Sequence, residues 1–397
     1  MLYSINGATR NQMNSAISTV PPVPKGNFPH YMLKETYEQP EAIRETLRRH
    51  LSSDGTRIVL DSSKLSEAEI AKFTRITIAA SGASRHAGLA GKQMFEDIAG
   101  ISVEVEYASE YGNRNNLTSP DNLVLLITQS GETADVVSAQ REAKLKSSKT
   151  LALTNVQDST VARDADAVFY TYAGREVAIP ATKSFTTALA GLYILALYFA
   201  QCRGVLTSEK LKASVAELEK TANLMGQTLP DFDSRLKPLA RRYFMAHTFF
   251  FLGRAVHFPV ALEGALKLKE ISYIHAEGYP TGELAHGPTA LLEPSFPVVV
   301  MATRDTTDED SVNRYEKTIG NLKTIRSRSE CVIVIATEGD VEVTQLCDEV
   351  IFVPAANELL SPILEIVPLQ LLAYYIAVWN HYDVDRPRNL VKSVQQE

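Results

Sequence analysis

The chain contains 397 residues, 45% of which are hydrophobic, so it can bury a sizeable core, and its length favours two domains over one. Its 40 basic and 47 acidic residues give a net charge of −7 without a basic stripe, which argues against nucleic acid as a partner. The three cysteines lack CxxC spacing, so they suggest neither a disulfide framework nor a thiolate metal site, and a reducing cytosol fits best.

The first 30 residues are polar and end in PPVPKGNFP, which predicts an extended arm and lacks the apolar block of a signal peptide. A helix is expected to follow at residues 41–51. The longest apolar run, residues 188–200, is too short to cross a bilayer and predicts a buried helix. We therefore expect a cytoplasmic protein without a membrane partner.

Strands and helices alternate from about residue 75, which indicates a parallel sheet flanked by helices. The predicted strands of the first half are residues 75–79, 123–128, 150–154 and 167–170, and helical patterns cover 88–98 and 134–144. Similar apolar runs recur at residues 249–253, 297–303, 331–337 and 349–355. In both halves the first two strands are 49 residues apart. We therefore predict an α/β protein built from two copies of one nucleotide-binding-like layered fold.

The turn TQSGETAD, residues 128–135, places several hydroxyl groups between a predicted strand and a predicted helix. Gly131 allows backbone N–H groups to face a ligand, and a helix N-terminus favours an anion such as phosphate. Helix capping by Ser130 is an equally weighted alternative. The turn SGASRHAG, residues 81–88, could converge on the same phosphate, although a solvent-facing glycine turn explains it equally well. Neither turn has the GxGxxG pattern of dinucleotide-binding folds.

The second half carries Glu263, Lys267 and Glu270 at helical spacing, so the three side chains share one face of a helix. Periodicity alone predicts a solvated stripe. The Gly/Pro-rich stretch that follows, residues 275–288, is interpreted as a loop that includes His286 and is more than a spacer. A carboxylate and a histidine near a phosphate site suggest proton transfer on a phosphorylated substrate.

The sequence lacks the common metal-binding motifs. The HAE at residues 275–277 has no companion PCxxC of the kind found in zinc deaminases, and HExxH does not occur, so neither a metal nor a cofactor is predicted. Lys392 lies five residues from the C-terminus, where a lysine on its own predicts a frayed end without a function.

Five segments taken together closely resemble the isomerase half of the glucosamine-6-phosphate synthase family, also called glutamine:fructose-6-phosphate aminotransferases. They are residues 31–47, 128–135, 181–187, 261–288 and 383–394. The resemblance extends over nearly the whole chain from about residue 30. In that family the isomerase half consists of two tandem SIS, or sugar isomerase, domains. The resemblance therefore implies two flavodoxin-like parallel sheets, each flanked by helices in a three-layer αβα arrangement.

The domain organisation that we expect has five parts. They are an N-terminal arm (1–30), a first SIS domain (31–204), a helical connector (205–235), a second SIS domain (236–382) and a C-terminal active-site tail (383–397). The tail is expected to be ordered against the second domain and to close over the substrate.

The resemblance also implies site residues and their roles. The sugar phosphate would be bound by Ser84, Thr128, Gln129, Ser130 and Thr133. Glu270 would move a proton between C1 and C2, with Lys267 and Glu263 beside it. Lys392 would form a Schiff base with the ketose carbonyl, and His286 would reach the site from a neighbouring subunit to open the sugar ring. A homodimer with shared active sites and no cofactor is therefore implied.

Several positions depart from the family pattern. Thr128 replaces a serine and keeps the hydroxyl, whereas Ala83 and Ala181 replace residues that make polar contacts to the sugar phosphate. Arg85 replaces a tyrosine, and Ala255 replaces the last glycine of a GRG motif. Each lost hydrogen bond costs about 1 kcal/mol. Every implied proton-transfer group is retained.

The sequence therefore predicts an enzyme that interconverts fructose 6-phosphate with glucose 6-phosphate or, given ammonia, with glucosamine 6-phosphate. The family's glutaminase half needs an N-terminal cysteine, and position 2 is leucine, so no glutaminase activity is expected. One alternative is a stand-alone glucosamine-6-phosphate deaminase or fructosamine-phosphate deglycase, which would run the same imine chemistry toward the ketose. Another is a non-catalytic sugar-phosphate sensor. Retention of Glu270, His286 and Lys392 argues against the sensor, because a sensor needs no base.

Overall fold

The computed structural model describes residues 23–113, 119–347 and 349–394. The elements of the first half are α1 (Tyr31–His50), β1 (Ser62–Ser63), α2 (Glu67–Ile70), β2 (Arg75–Ala80), α3 (Gly82–Ala99), β3 (Ser102–Tyr107), α4 (Ala108–Tyr111), β4 (Asn122–Thr128), α5 (Ala134–Leu145), β5 (Lys149–Thr154), α6 (Thr160–Asp164), β6 (Ala167–Tyr170), α7 (Lys183–Cys202) and α8 (Ser208–Tyr243). The elements of the second half are β7 (Thr248–Gly253), α9 (Phe258–Ser272), β8 (His275–Pro280), β9 (Val298–Ala302), α10 (Glu309–Arg326), β10 (Val332–Thr337), α11 (Val341–Leu346), β11 (Glu349–Val353) and α12 (Ser361–Trp379).

Each half of the chain forms one sheet. The first sheet has the strand order β1-β6-β5-β4-β2-β3, and the second has the order β11-β10-β9-β7-β8. Neighbouring strands are parallel except that β1 pairs antiparallel with β6. Apart from β1 the two sheets share one topology, so the predicted duplication of an α/β fold is confirmed. The chain reverses its direction of winding between β2 and β4 and between β7 and β9, which is where such sheets bind ligands.

The central strands were the easiest to predict. The runs expected at 75–79, 123–128, 150–154 and 167–170 correspond to β2, β4, β5 and β6, and the four runs of the second half correspond to β7, β9, β10 and β11. Helices cover both faces of these sheets, so strands such as β4 are buried along their whole length and read as continuous apolar runs.

The edge strands β3 and β8 do not show the continuous apolar runs of the central strands. The loop expected at 275–288 begins instead with β8, which pairs with β7. An edge strand forms backbone hydrogen bonds on one side, so it tolerates polar residues and a terminal proline. Gly278 allows α9 to pack closely on β8, because a Cβ atom at that position would lie 2.8 Å from the backbone of Leu262 on α9.

The helix α1 begins at Tyr31, well before the predicted start at residue 41, and continues through Pro40. Its N-cap residue His30 makes no side-chain capping bond. The cap comes from the C-terminal tail, where the carboxylate of Asp385 accepts hydrogen bonds from the backbone N–H groups of Tyr31 (2.9 Å) and Met32 (2.8 Å). A helix start fixed by a residue so distant in sequence leaves no local signal.

Replacing Asp385 by alanine is expected to lower the free energy of unfolding by about 1 kcal/mol, because two N–H groups of α1 lose their acceptor. Urea denaturation followed by circular dichroism measures this change. The control is Asp231→Ala on the exposed side of α8, which should shift the unfolding free energy by less than about 0.5 kcal/mol. Equal effects of the two substitutions would show that the capping contact contributes nothing.

The helix α8 is longer than the predicted connector, since it extends over 36 residues and includes Pro230 and Pro238. One face carries buried apolar residues, among them Leu218, Met225 and Leu236, and it packs against α1 and α12. This burial compensates for the backbone hydrogen bonds that the prolines remove. The helix is therefore part of the core as well as a connection between the two sheets.

The helices α7 and α12 form the centre of the molecule. Both are long and apolar enough to cross a membrane by composition alone, but 89% and 94% of their apolar windows are buried inside the protein, as in core helices. The helix α3 packs closely on α7 at Gly91, where a Cβ atom would lie only 2.9 Å from the Leu192 side chain. The N-terminal ends of α3 and α7 consequently meet at one edge of the first sheet.

Candidate active site

The turn between β4 and α5 is organised by its own hydroxyl groups. The backbone N–H of Gly131 donates to Thr128 Oγ1 (3.2 Å), and the Thr128 and Thr133 hydroxyls are 2.9 Å apart. The N-cap of α5 is Thr133, which makes no side-chain capping bond, so helix capping by Ser130 is not what the structure contains. Gly131 has a φ of +67°, and a Cβ atom there would overlap the side chain of Ser159. The turn is therefore preformed.

A cavity of about 330 Å³ lies beyond the carboxyl ends of β2, β4 and β5. Its walls are the two hydroxyl-bearing turns, the beginning of α7 and the C-terminal tail. The residues that the resemblance implied for phosphate binding all line it: Ser84, Thr128, Gln129, Ser130 and Thr133. This volume falls within the range of small-molecule sites, roughly 300–1,000 Å³. Hydroxyls, backbone N–H groups and the N-terminus of α3 together suit an anion.

The C-terminal tail covers this cavity. Ser393 Oγ lies 2.9 Å from Ser130 Oγ, and the backbone N–H of Ala134 donates to the carbonyl of Val394 (2.9 Å). Lys392 also lines the cavity, whereas its position near the C-terminus alone predicted a frayed end. Most contacts of the tail are with the first sheet and its helices, rather than with the second domain as we expected. Its polar groups find partners on α1, in residues 176–178 and at the turn after β4.

The ammonium group of Lys392 is held by two acceptors. It donates to Glu176 Oε2 (2.5 Å) and to the carbonyl of Ala178 (2.6 Å). Glu176 is buried and also accepts hydrogen bonds from the backbone N–H groups of Thr182 (3.0 Å) and Ser184 (3.1 Å) at the start of α7. Burial raises the pKa of Glu176, but Lys392 and these donors outweigh it and lower the pKa to about 2.

A second buried carboxyl group, that of Glu35 on α1, lies close to Glu176. It accepts hydrogen bonds from the backbone N–H groups of Val177 (2.5 Å) and Ala178 (3.3 Å), so it supports the segment that holds Lys392. Burial, with a smaller contribution from the negative charge of Glu176, raises the pKa of Glu35 to about 8. Neither glutamate was identified from the sequence, because both lie outside any motif and are far from Lys392 along the chain.

The raised pKa of Glu35 predicts a pH-dependent stability. Its contribution to stability is fully present below the unfolded pKa of 4.5 and is lost as the pH rises through about 8. In Glu35→Gln the unfolding free energy should therefore fall less than in the wild type between pH 5 and pH 9, by a margin on the order of a few kcal/mol. Chemical denaturation across this pH range measures it. Glu67→Gln, at an exposed ion pair, is the control; a wild-type slope in Glu35→Gln would contradict the prediction.

The face of α9 that carries Glu263, Lys267 and Glu270 is not a solvated stripe. Lys267 and Glu263 are fully buried, and the Glu270 side chain is 21% exposed. Lys267 Nζ lies 2.6 Å from Glu270 Oε2 and 3.3 Å from Glu263 Oε1. Burial opposes the charge of Lys267, but the two carboxylates outweigh it and raise its pKa above the ordinary value. Mutual neutralisation explains how this face can be buried.

None of these three side chains is among the described residues that line the cavity, and two contacts connect the cluster to α3 and to the C-terminal tail, which both carry cavity residues. His86 Nδ1 lies 2.8 Å from Glu263 Oε2, and His86 follows Ser84 by two residues on α3. In the tail, the backbone N–H of Arg388 donates to the hydroxyl of Tyr273 (3.0 Å). Tyr273 is the C-cap residue of α9 and follows Glu270 by three residues. The sequence contained His86 within the turn SGASRHAG, but nothing in its spacing pointed to Glu263.

His286 occupies a different position. It ends the 3-10 turn Thr281–His286, its side chain is exposed, and it is not among the described residues that line the cavity. Gly287, which follows, has a φ of +141° that favours glycine. One chain therefore does not bring His286 together with Lys392.

The corresponding edge of the second sheet holds a buried network of charged side chains. His257 is fully buried, with Nδ1 2.6 Å from Glu365 Oε1 and Nε2 3.0 Å from Glu358 Oε1. Arg314 Nε lies 2.5 Å from Glu358 Oε1. Burial lowers the pKa of His257, but the neighbouring carboxylates, Glu365 first, outweigh it and raise the pKa above its ordinary value. Burial raises the pKa of Glu358, but His257 and Arg314 outweigh it and lower the pKa to about 2. This network lies at the carboxyl end of the second sheet, where Arg314 and Glu358 also line a cavity of about 360 Å³.

No cluster of three or more His, Cys, Asp or Glu side chains within residues 23–113, 119–347 and 349–394 is arranged to hold a metal ion.

Comparisons with known proteins give one consistent result. The SIS domain family matches residues 69–198 and 243–379. The glutamine–fructose-6-phosphate aminotransferase [isomerizing] of Methanosarcina acetivorans is 46% identical over 94% of this chain and 59% of its own length, and that of Caldanaerobacter subterraneus is 43% identical over 94% and 60%. The chain thus spans about 60% of the length of these relatives. The structure of the C-terminal domain of glucosamine-fructose-6-phosphate aminotransferase from Francisella tularensis has a TM-score of 0.84 and 35% identity, and covers 92% of this chain and 100% of that domain.

Proposed function

This chain belongs to the SIS domain family and matches the isomerase part of glutamine:fructose-6-phosphate aminotransferases, and on that basis we propose that it acts on fructose 6-phosphate. The products would be glucose 6-phosphate or, when ammonia is supplied, glucosamine 6-phosphate. The observation that carries this proposal is the single cavity in which an anion-binding turn and the amine of Lys392 lie side by side.

Binding would begin at the phosphate. The turns at 81–84 and 128–133 would hold the phosphate oxygens through hydroxyl and backbone N–H donors, with the positive end of the α3 dipole adding to the attraction. The tail over the cavity would exclude water from the sugar carbons. A cytoplasmic homodimer, in which His286 of the partner subunit opens the sugar ring, completes this part of the proposal.

The chemistry would proceed at C1 and C2 of the open ketose. The ammonium of Lys392 first passes a proton to water, and the neutral amine then attacks the C2 carbonyl, whose oxygen leaves as water when the imine forms. Ammonia displaces the amine of Lys392 from C2. Glu270 then removes a proton from C1 and returns it to C2, while the proton of the O1 hydroxyl passes to the nitrogen, which gives glucosamine 6-phosphate. Without ammonia, the same proton transfer on the free ketose gives glucose 6-phosphate. Lys267, 2.6 Å from Glu270, is placed to stabilise the negative charge that develops during the transfer.

A product assay tests the proposal. Purified protein is incubated with fructose 6-phosphate, with and without ammonium, and separately with glucosamine 6-phosphate, and the sugars are identified by NMR. We expect glucose 6-phosphate without ammonium and glucosamine 6-phosphate with it. Release of ammonia from glucosamine 6-phosphate as the sole activity would favour the deaminase direction. Binding of the sugar phosphates without any conversion would favour a sensor and contradict the proposal.

A further inference from the structure

We propose that His86 is a positioning residue that couples the phosphate-binding end of α3 to the proton-transfer groups on α9. This inference rests on the proposed function. His86 lies on α3 in the first half of the chain, and its partner Glu263 lies on α9 in the second half, so their contact joins the two halves beside the cavity end of α3.

The contacts form a series of two hydrogen bonds joined by an ion pair between Glu263 and Lys267. His86 Nδ1 lies 2.8 Å from Glu263 Oε2, and because an ionised carboxylate only accepts hydrogen bonds, the Nδ1 atom carries the proton. The other oxygen of Glu263 lies 3.3 Å from Lys267 Nζ, and Lys267 Nζ lies 2.6 Å from Glu270 Oε2. The series thus runs from His86 to the proposed base Glu270 through Glu263 and Lys267.

The position of Lys267 depends on the balance between its two carboxylate neighbours. Glu263 is fully buried, so its charge must be satisfied by protein groups rather than by water. His86 satisfies one of its oxygens. Without that donor, the carboxylate of Glu263 would draw Lys267 toward itself, and the contact between Lys267 and Glu270 would lengthen. The base would then lose the cation that orients it.

The position of His86 near the start of α3 relates its contact with Glu263 to phosphate binding. Ser84, two residues earlier, lines the cavity, and the helix begins at Gly82. A phosphate held at this end of α3 would fix the first turn of the helix, and His86 would transmit that position to Glu263. Binding of the phosphate and alignment of Glu270 would thus be linked through one side chain, with no contact between His86 and the substrate.

Two substitutions separate the donor from the shape of the side chain. His86→Leu removes the donor, and His86→Asn places an amide N–H close to the position of Nδ1. We expect His86→Leu to lower kcat for fructose 6-phosphate by about ten- to a hundredfold, the effect of leaving a buried acceptor unsatisfied, while KM changes by less than about threefold. His86→Asn should recover most of kcat. The matched control is His275→Leu, at an exposed histidine 3.5 Å from Glu277, which should leave both constants unchanged.

The outcomes distinguish this inference from the proposed function. A wild-type protein without turnover contradicts the proposed function and removes this inference with it. If the wild type turns over and His86→Leu has the same kcat, or loses affinity instead of rate, the coupling role is wrong. If His86→Leu does not fold, His86→Asn is compared with His86→Gln, whose amide reaches the Nε2 position instead. Equal kcat values of Asn and Gln variants would overturn the inference, and a slower Gln variant would support it.

Discussion

Glu270→Gln is expected to abolish the exchange of carbon-bound hydrogen at C1 of fructose 6-phosphate while leaving the sugar phosphate bound. The glutamine keeps an oxygen that can accept a hydrogen bond from Lys267, so the buried cluster stays intact. It cannot accept a proton, so the loss should equal the contribution of a positioned general base, roughly 10²–10⁴-fold. Proton NMR in D₂O measures the exchange, and calorimetry measures the affinity.

A control for this substitution is available on the surface of the protein. Glu219→Gln changes an exposed glutamate of α8 and should leave the exchange rate unchanged. Normal exchange in Glu270→Gln would show that another group is the base. A loss of binding together with exchange would instead indicate that Glu270 supports the cavity rather than the chemistry.

Lys392→Arg is expected to eliminate covalent capture of the substrate without disturbing the fold. Reduction of the wild-type protein with borohydride in the presence of fructose 6-phosphate should leave a sugar phosphate attached to Lys392, which mass spectrometry of peptides detects. Arginine keeps the positive charge beside the buried Glu176 but cannot form the imine. A neutral side chain would leave the charge of that carboxylate uncompensated and would lower the stability of the protein by about 3–5 kcal/mol. A loss of activity could then not be assigned to the missing amine.

The same experiment contains its control. Lys269→Arg changes an exposed lysine on α9, close to the cluster in sequence, and should be labelled at Lys392 as strongly as the wild type. Retained turnover in Lys392→Arg would mean that the amine is not needed, and labelling at another lysine would reassign the nucleophile.

The two-sheet architecture could be predicted from the sequence because the same pattern of strands occurs in both halves of the chain. Buried parallel strands such as Asn122–Thr128 are continuous apolar runs, and the equal spacing of strands in the two halves indicated duplication. The edge strand His275–Pro280 could not be found in this way, because it is polar and includes Gly278, which lies against the backbone of α9. The start of α1 was likewise invisible, since its cap is Asp385.

The candidate site was only partly visible in the sequence. The hydroxyl turn has a local pattern, so its residues could be named from spacing and resemblance. Glu176 and Lys392 are separated by 216 positions, and His86 and Glu263 by 177, so no local pattern connects the members of either pair. Periodicity assigned the face of Lys267 to solvent because it counts charges along one helix, whereas the burial of that face depends on charges that neutralise each other in three dimensions.

The buried network around His257 has a consequence for how the proton-transfer groups are supported. His257 is the N-cap residue of α9, and permanent internal counter-ions hold its ring on both sides. We therefore expect the beginning of α9 to keep its position when a ligand enters the cavity of the first half. In the proposed mechanism, the second half would then hold the helix that carries Glu270 in place, while the first half binds the ligand.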